Sequence, residues 1–380
     1  MWYFKPNQIR DIHFEISNYC NAACPECPRS DPMEIDDSTG ENRYLPLGWI
    51  DTHFLPLDLI KRNFNQNKTP SLQNISFCGC FGDALTHPNF IPMIDYFIEE
   101  FPQLSIYVHT NGGLKTADYW TRLAHSLKKA YYHEVIWGID GLEATNEIYR
   151  VGVRWQRLEE NFRAFNQAGG NSHWQYIIFP HNFQDVEEAK ARSKAEGFAY
   201  FRKVLSFRNA DYKAEDLPDE YRHFISKDNS ESTEVPEYPT TKPLGSLPAY
   251  TYPESIPFDN YDLTTGKFVK CSSQDRHNVF VFSEGTIWPC NKLGFNLPSK
   301  NRSDQDYCYS QHWETDHDAR NTNSLHKYDI EEIMENGWWS EVYESHKKGD
   351  FCYACSEDCG QLVENKEFYA TKDLIYVEKN

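Results

Sequence analysis

Residues 9–27 read IRDIHFEISNYCNAACPEC. The first nine of them alternate as a strand does, with Ile12, Phe14 and Ile16 on one face. Three cysteines follow with the spacing Cys20-x₃-Cys24-x₂-Cys27. The cysteine loop therefore begins at the carboxyl end of a predicted strand, which is where open α/β sheets and barrels place their ligands.

Three closely spaced thiolates can hold a metal centre but leave one coordination position over. In a cubane iron–sulfur cluster that position belongs to a fourth iron, which can then bind a reacting molecule. Clusters for electron transfer usually take four Cys ligands and are closed. The triplet therefore favours chemistry at the metal, and the alternatives are a structural zinc site or three buried thiols.

Strand-like and helix-like segments alternate from residue 9 to about residue 208. The strand-like runs are Ile9–Ser17, Asn74–Cys78, Leu104–His109, Glu134–Ile139, Trp174–Phe179 and Tyr200–Phe207, and the helix-like runs are Leu57–Asn65, Phe90–Phe101, Ala117–Lys129, Arg154–Gln167 and Asp185–Glu196. Strands separated by helices of this length predict parallel βαβ units wound right-handed. Six such units fit an open, partial barrel better than a closed barrel of eight strands.

The rest of the chain differs in composition. Residues 209–265 are rich in Asp, Glu, Pro, Ser and Tyr without a sustained period, and we interpret them as a linker or a substrate-facing loop. Residues 31–50 form a similar acidic insertion after the cysteine loop. Residues 266–380 carry further Cys and little periodicity, so the predicted domains are residues 1–208, 209–265 and 266–380.

The bulk properties restrict the class of protein. The 380 residues carry a net charge of −19, which disfavours a nucleic-acid partner because non-specific affinity for phosphate backbones depends on Lys and Arg. Neither a membrane-spanning run nor a signal-peptide pattern is visible, so no membrane partner is expected. The 11 Cys are grouped as metal ligands would be, which predicts a reducing, cytoplasmic location.

The triplet after a first strand resembles the signature of the radical S-adenosylmethionine (radical SAM) enzymes, and further stretches match the order of that family's motifs. They are Gly79-Cys-Phe-Gly82-Asp83, His109-Thr-Asn111-Gly112, Trp137-Gly138-Ile-Asp140-Gly141, Tyr149-Arg150, and Trp174-Gln175 with Asn182. The resemblance covers roughly the first half of the chain. It implies an α/β fold, a partial (β/α)₆ TIM-like barrel, with a [4Fe–4S] cluster held by Cys20, Cys24 and Cys27.

The resemblance also implies a site for S-adenosylmethionine. Gly82 and Asp83 would receive its methionyl amino group, Arg150 would meet its carboxylate, and the remaining cofactor-binding residues would be Asn111, Asp140 and Gln175. Asp83 departs from the usual Glu and is one methylene shorter, and Gly138 stands where many members have Ser. Taken one at a time, these Gly and Asp residues also fit ordinary turns, Arg150 a solvated helix residue and Gln175 a polar strand residue.

A second group of cysteines lies in the C-terminal region. Cys271-x₁₃-Gly285-x₄-Cys290 predicts a β-hairpin that turns at the glycine, and Cys352-x₂-Cys355-x₃-Cys359 follows. This spacing resembles the twitch module, a shortened SPASM domain, and implies one auxiliary [4Fe–4S] cluster. The ligands would come from Cys271, Cys290, Cys352, Cys355 and Cys359, with one of the last three left over. A zinc ribbon is the alternative, and Cys308 has no partner at a suggestive spacing.

The implied function is reductive cleavage of S-adenosylmethionine to a 5′-deoxyadenosyl radical, which abstracts a hydrogen atom from a small-molecule or peptide substrate. Electrons would come from a one-electron donor such as flavodoxin or ferredoxin, and the auxiliary cluster would transfer electrons or bind substrate. The competing hypothesis is a non-catalytic, zinc-stapled α/β scaffold that binds proteins. Neither the substrate nor the oligomeric state follows from the sequence.

Overall fold

The computed structural model describes residues 3–25, 27, 29–35, 42–46, 52–205, 267–269, 271–294, 319–348, 355, 360–362 and 375–379. The strands are β1 Asp11–Phe14, β2 Ser30–Ile35, β3 Asn42–Pro46, β4 Asn74–Phe77, β5 Ser105–Thr110, β6 Tyr132–Gly138, β7 Ser172–Ile178, β8 Tyr200–Leu205, β9 Lys267–Val269, β10 Asn278–Val281, β11 Ile287–Trp288, β12 Gly360–Leu362 and β13 Ile375–Lys379.

The helices are α1 Leu57–Asn63, α2 Phe90–Glu100, α3 Ala117–Leu127, α4 Ala144–Tyr149, α5 Trp155–Gln167, α6 Val186–Ala195, α7 Ser272–Arg276, α8 Asn291–Gly294, α9 Ala319–Thr322, α10 Ile330–Glu335 and α11 Gly337–Lys347. No described helix combines the length and the apolar character needed to cross a membrane.

Nine of the described strands form one sheet in the order β11-β10-β1-β4-β5-β6-β7-β8-β13. The six predicted strands are β1 and β4 to β8, which are consecutive and parallel, and helices α1 to α6 connect them. This is the mixed α/β architecture of a partial TIM-like barrel, so the predicted fold class is confirmed. Strand β13 closes one edge antiparallel to β8.

Alternation along the strands separates two faces of the sheet. The outer face is apolar and carries the core under the helices, where the Trp120 and Trp137 rings lie 4.4 Å apart and Phe165 meets both. Large buried rings of this kind contribute most of the hydrophobic stabilisation. The other face is largely polar, with His13, Tyr107 and further titratable side chains along it.

Strand β10 lies on the other side of β1 and is parallel to it, with Asp11 opposite Asn278 and Phe14 opposite Val281. Strand β11 returns antiparallel to β10, and Gly285 between them has φ +82°. The predicted hairpin is therefore confirmed, and a left-handed residue at its turn explains the glycine.

Three features differ from the sequence prediction. The stretch interpreted as an acidic insertion contains an antiparallel strand pair, Ser30–Ile35 with Asn42–Pro46. The helix Ala144–Tyr149 was not predicted, because six residues are too few to show a clear helical period. The C-terminal region contains helices such as Gly337–Lys347, although its sequence shows little periodicity. The predicted linker at residues 209–265 lies outside the described residues.

Candidate functional site

The cysteine loop leaves β1 at the carboxyl edge of the sheet, as the sequence predicts. Cys24 is 7% exposed, and Cys20 and Cys27 are partly buried. The Cys27 amide donates to the Cys24 carbonyl at 3.0 Å, which forms a tight turn between the second and third cysteines. The buried Arg29 beyond the turn donates to the Asn18 carbonyl, so the two ends of the loop are joined.

Gly82 allows the loop after β4 to touch the loop after β1. A Cβ atom built on Gly82 would lie 1.8 Å from the carbonyl oxygen of Ser17 and 2.8 Å from Cα of Asn18. Both obstacles are backbone and cannot rotate away. The predicted cofactor residue Gly82 therefore has a structural role that is visible here, which is to hold the two loops in contact.

Asp83 is 4% exposed and accepts three hydrogen bonds. Its Oδ1 atom receives the Leu85 amide at 2.9 Å, and its Oδ2 atom receives the Thr110 hydroxyl and the Asn111 amide, each at 2.9 Å. Burial is the largest influence on the pKa of Asp83 and raises it, although these donors oppose the rise. The shorter Asp thus reaches the end of β5 and fixes the position of Asn111.

Asn111 connects that carboxylate to the first cysteine. Its side-chain amide donates to the Cys20 sulfur at 3.5 Å and to the Asn21 side-chain oxygen at 2.9 Å. Its own side-chain oxygen accepts from the Gly113 amide at 2.9 Å. Every polar atom of the amide is therefore engaged, so the donor aimed at the sulfur is held in place.

Arg150 and Asp140 form a buried ion pair beside the second cysteine. The Arg150 Nε atom donates to Asp140 Oδ2 at 2.6 Å, and its Nη1 atom lies 3.9 Å from the Cys24 sulfur. The other Asp140 oxygen accepts the Ile177 amide at 2.6 Å. A Cβ atom on Gly138 would lie 2.5 Å from an Arg150 nitrogen, so the absence of a side chain at that position gives the guanidinium its place.

Gln175 lies farther round the same edge. It is paired in register with Gly138 on one side and with Arg202 on the other. Asn182 in the following loop donates to the carbonyls of Asp140 and Ile177 at 2.8 and 2.9 Å, which joins the ends of β6 and β7. The structure thus places Gln175 on β7, beside the strand that ends at Gly138 and on the same edge as Arg150. No contact between Gln175 and a cysteine is seen among the described residues.

Glu15 is a site residue that the sequence reasoning missed. It follows β1, is 1% exposed, and accepts the Phe81 and Gly82 amides at 2.6 and 3.2 Å through one oxygen. Burial raises the pKa of Glu15 to about 8. A carboxylate at an inward position of a parallel strand is the signal that could have identified it, since such side chains face the barrel interior.

The environment of the thiols bears on whether they could hold a cationic centre. Burial raises the pKa of Cys20 to about 12, and burial also raises the pKa of Cys24 while Arg150 lowers it. Thiolates at these positions need a cation, which a metal centre supplies. The hydrogen-bond donors of Asn111 and Arg150 suit sulfur atoms bound to iron. The donor set therefore fits a cluster chemically.

Coordination itself remains a prediction. Among the described residues, no three His, Cys, Asp or Glu side chains are arranged to hold a metal ion. The assignment of Cys20, Cys24 and Cys27 as ligands thus rests on their spacing and on the donors around them.

Three of the C-terminal cysteines, Cys271, Cys290 and Cys355, lie among the described residues. Cys271 and Cys355 lie near the phenol of Tyr3. Burial is the largest cause that raises the pKa of Tyr3, and the two thiols add to it. The Cys355 sulfur also lies 3.9 Å from Nε2 of the buried His346. Cys290 precedes Asn291, whose amide donates to the Cys80 sulfur at 3.6 Å. Cys308, Cys352 and Cys359 lie outside the described residues, so the auxiliary cluster stays a prediction.

Comparisons with known proteins give relatives in structure only. No protein-family model matches the chain, and no curated protein matches it in sequence. The fold is similar to native anSMEcpe with bound AdoMet, with a TM-score of 0.51, 14% identity, and coverage of 89% of this chain and 84% of that one. The same protein with bound AdoMet and the Cp18Cys peptide gives a TM-score of 0.50 and 13% identity, with coverage of 92% and 86%.

A more distant similarity is to Streptococcus suis SuiB bound to S-adenosylmethionine, with a TM-score of 0.46 and 15% identity. It covers 78% of this chain but only 63% of SuiB, so the chain spans less than two thirds of that protein. At such identities the two similarities to anSMEcpe establish the fold. The chain has the fold of the radical SAM enzymes that its sequence resembles.

Proposed function

We propose that the protein is a radical SAM enzyme. The observation that carries the proposal is the convergence of two strand ends on the cysteine loop, where Asn111 donates to the Cys20 sulfur at 3.5 Å and Arg150 lies 3.9 Å from the Cys24 sulfur. A structural zinc site needs four protein ligands, and the cysteine triplet supplies three. Three cysteines surrounded by polar donors suit a centre that binds a further molecule.

When bound, a [4Fe–4S] cluster and S-adenosylmethionine would supply reductive cleavage of the carbon–sulfur bond and a 5′-deoxyadenosyl radical that abstracts a hydrogen atom from the substrate. Cys20, Cys24 and Cys27 would hold the cluster. Arg150 carries a permanent positive charge next to it and would attract the methionyl carboxylate. Gln175 would contact the cofactor through its amide, and Asn111 would line the cofactor site beside the Cys20 sulfur.

Asp83 and Asp140 act through other residues in this proposal. The Asp83 carboxylate accepts hydrogen bonds from Leu85, Thr110 and Asn111, and the last of these bonds positions Asn111. Asp140 positions the Arg150 guanidinium in the same way. Gly82 brings the two loops together and exposes backbone in place of a side chain.

The finer parts of the function are proposals as well. A one-electron donor such as flavodoxin or ferredoxin would reduce the cluster, in a cytoplasmic compartment. A second [4Fe–4S] cluster would use Cys271, Cys290, Cys352, Cys355 and Cys359, one of the last three being left over. The substrate is a peptide or a small molecule, and the peptide in one structure of similar fold makes peptides the first class to test.

The test is iron and sulfide analysis of anaerobically purified protein, followed by an assay for 5′-deoxyadenosine after reduction. We expect about eight irons per chain and reductive cleavage of S-adenosylmethionine. Cys24→Ala should abolish cleavage and leave the C-terminal cluster, whereas the matched control Cys78→Ala should retain cleavage. Colourless protein with stoichiometric zinc would support the scaffold instead, and cleavage by the Cys24→Ala variant would show that the site is assigned wrongly.

A further inference from the structure

The barrel interior contains a cation that the cofactor site does not use. Strand register places Gly138, Gln175 and Arg202 side by side on β6, β7 and β8. Residues paired in register across parallel strands project from the same face, so Arg202 shares its face with Gln175 and lies on the level at which Arg150 crosses Gly138. Arg202 therefore belongs to the wall of the same interior.

Arg202 is partly buried, and among the described residues its guanidinium makes no hydrogen bond and no ion pair. Its Nε atom is completely buried without a partner. A guanidinium carries five donors and a charge that is not lost at any ordinary pH, so leaving it unpaired in a protein interior is costly. Such a group normally has an anionic partner.

Two carboxylates of this part of the barrel, Glu134 and Asp140, are already engaged. Glu134 accepts the Tyr132 hydroxyl at 2.8 Å through one oxygen and is bonded to Nδ1 of His173 at 2.5 Å through the other. Asp140 is paired with Arg150. Neither acid is therefore left over to balance the charge of Arg202.

His173 lies on β7, the strand next to Arg202, two residues before Gln175, which is the register partner of Arg202. It also has a polar atom without a hydrogen-bond partner among the described residues. The residue is 4% exposed, and its Nε2 atom is buried without a partner. His109 lies in register with His173 across β6 and faces the same interior, where burial, then the nearby His13 and Arg202, lower the pKa of His109 to about 3. A polar ligand is the simplest way to satisfy both the guanidinium and the imidazole.

We propose that Arg202 anchors an oxyanion of the substrate, a carboxylate or a phosphate, in the barrel interior, and that the buried Nε2 atom of His173 meets a polar group beside that oxyanion. This rests on the proposed function and narrows its substrate class to an acidic one. A bidentate guanidinium–oxyanion pair would fix the orientation of the substrate in the interior.

The experiment uses the full chain with ring-¹⁵N-labelled histidine, titrated separately with inorganic phosphate and with acetate. We expect saturable histidine shifts, with the tighter of the two anions identifying phosphate or carboxylate as the substrate group. Arg202→Gln should weaken binding about tenfold or more, because a charge-assisted bond is lost. Arg202→Lys keeps the charge, and its anion affinity should lie between those of the wild type and Arg202→Gln. Arg122→Gln, which removes an exposed guanidinium on α3, should bind as the wild type does.

Equal anion binding by the wild type and Arg202→Gln, in variants with wild-type thermal unfolding, would overturn the inference, as would the absence of saturable binding. Binding of S-adenosylmethionine is measured in parallel. Its loss in Arg202→Gln with unchanged anion binding would assign Arg202 to the cofactor and overturn the inference too. The experiment distinguishes this inference from the proposed function. If the wild type binds anions through Arg202 but does not cleave S-adenosylmethionine, the proposed enzyme activity is refuted and the anion site is not.

Discussion

Arg150 and Asp140 form a 2.6 Å ion pair in which the carboxylate is completely buried and the guanidinium reaches on toward the Cys24 sulfur. The pair joins the end of β6 to the helix that follows it. The Asp140 carboxylate therefore holds the Arg150 guanidinium at the position where the proposed cofactor needs a cation.

Replacing Arg150 with Met should be strongly destabilising. Asp140 would remain as a buried carboxylate without its partner, which costs about 3–5 kcal/mol in unfolding free energy. Denaturant unfolding measures the loss. The double variant Asp140→Asn, Arg150→Met removes both charges and should recover part of it, and a single variant as stable as the wild type would refute the structural role of the pair.

Glu15 should make stability depend on pH. Burial raises its pKa from 4.5 to about 8 in the folded protein, so the folded chain binds one more proton than the unfolded chain between those values. The contribution of Glu15 is therefore complete below pH 4.5 and is lost as the pH rises toward about 8. The unfolding free energy of Glu15→Gln should fall less over this range. Glu187→Gln, on the exposed side of α6, is the control and should keep the wild-type slope.

Gly82→Ala should separate the two loops that form the site. The new Cβ atom would lie 1.8 Å from the Ser17 carbonyl oxygen, and overpacking of this kind costs about 1–3 kcal/mol or more. We expect a lower unfolding free energy and loss of iron from the N-terminal centre. At Gly337 a Cβ atom would meet nothing within 4 Å, so Gly337→Ala is the matched control and should not be destabilising. Equal effects at the two glycines would contradict the close approach.

Asn111→Ala should lower the reduction potential of the N-terminal cluster. The variant removes the donor that lies 3.5 Å from the Cys20 sulfur, and hydrogen bonds to cluster sulfurs stabilise the reduced form. Redox titration followed by electron paramagnetic resonance gives the midpoint. The exposed Asn67→Ala serves as the control, and an unchanged midpoint in Asn111→Ala would show that the amide does not act on the cluster.

The sequence predicted the barrel half of the fold well because its signals are local. Alternation and helical period identified all six consecutive strands and the five longer helices, with ends that differ from the structure by a few residues. The motifs led to Asp83, Asn111, Asp140 and Arg150, which the structure brings together around the cysteine loop. Asp83, Asn111 and Asp140 each come after a strand, so strand order alone places them on the correct edge, whereas Arg150 ends the helix Ala144–Tyr149.

What the sequence did not show depends on contacts between distant segments. The motif predicts that Asp83 receives an amine, which stays a prediction, and gives no sign that its Oδ2 atom also accepts the Thr110 hydroxyl and the Asn111 amide. Glu15 and Arg202 carry no motif, and their interest comes from burial and from their partners, which appear only after folding. The strand pair at Ser30–Ile35 lacks the apolar alternation on which strand prediction relies.

The parallel pairing of β1 with β10 has a consequence for how the protein is made. Strand β1 ends at Phe14, yet one of its two neighbours, β10, begins only at Asn278. Closing so long a loop is slow, and synthesis proceeds from the N-terminus. The strand that leads into the cysteine triplet therefore gains its second neighbour only after the long segment between β1 and β10 has been made, so we expect the triplet to reach its final position late in folding.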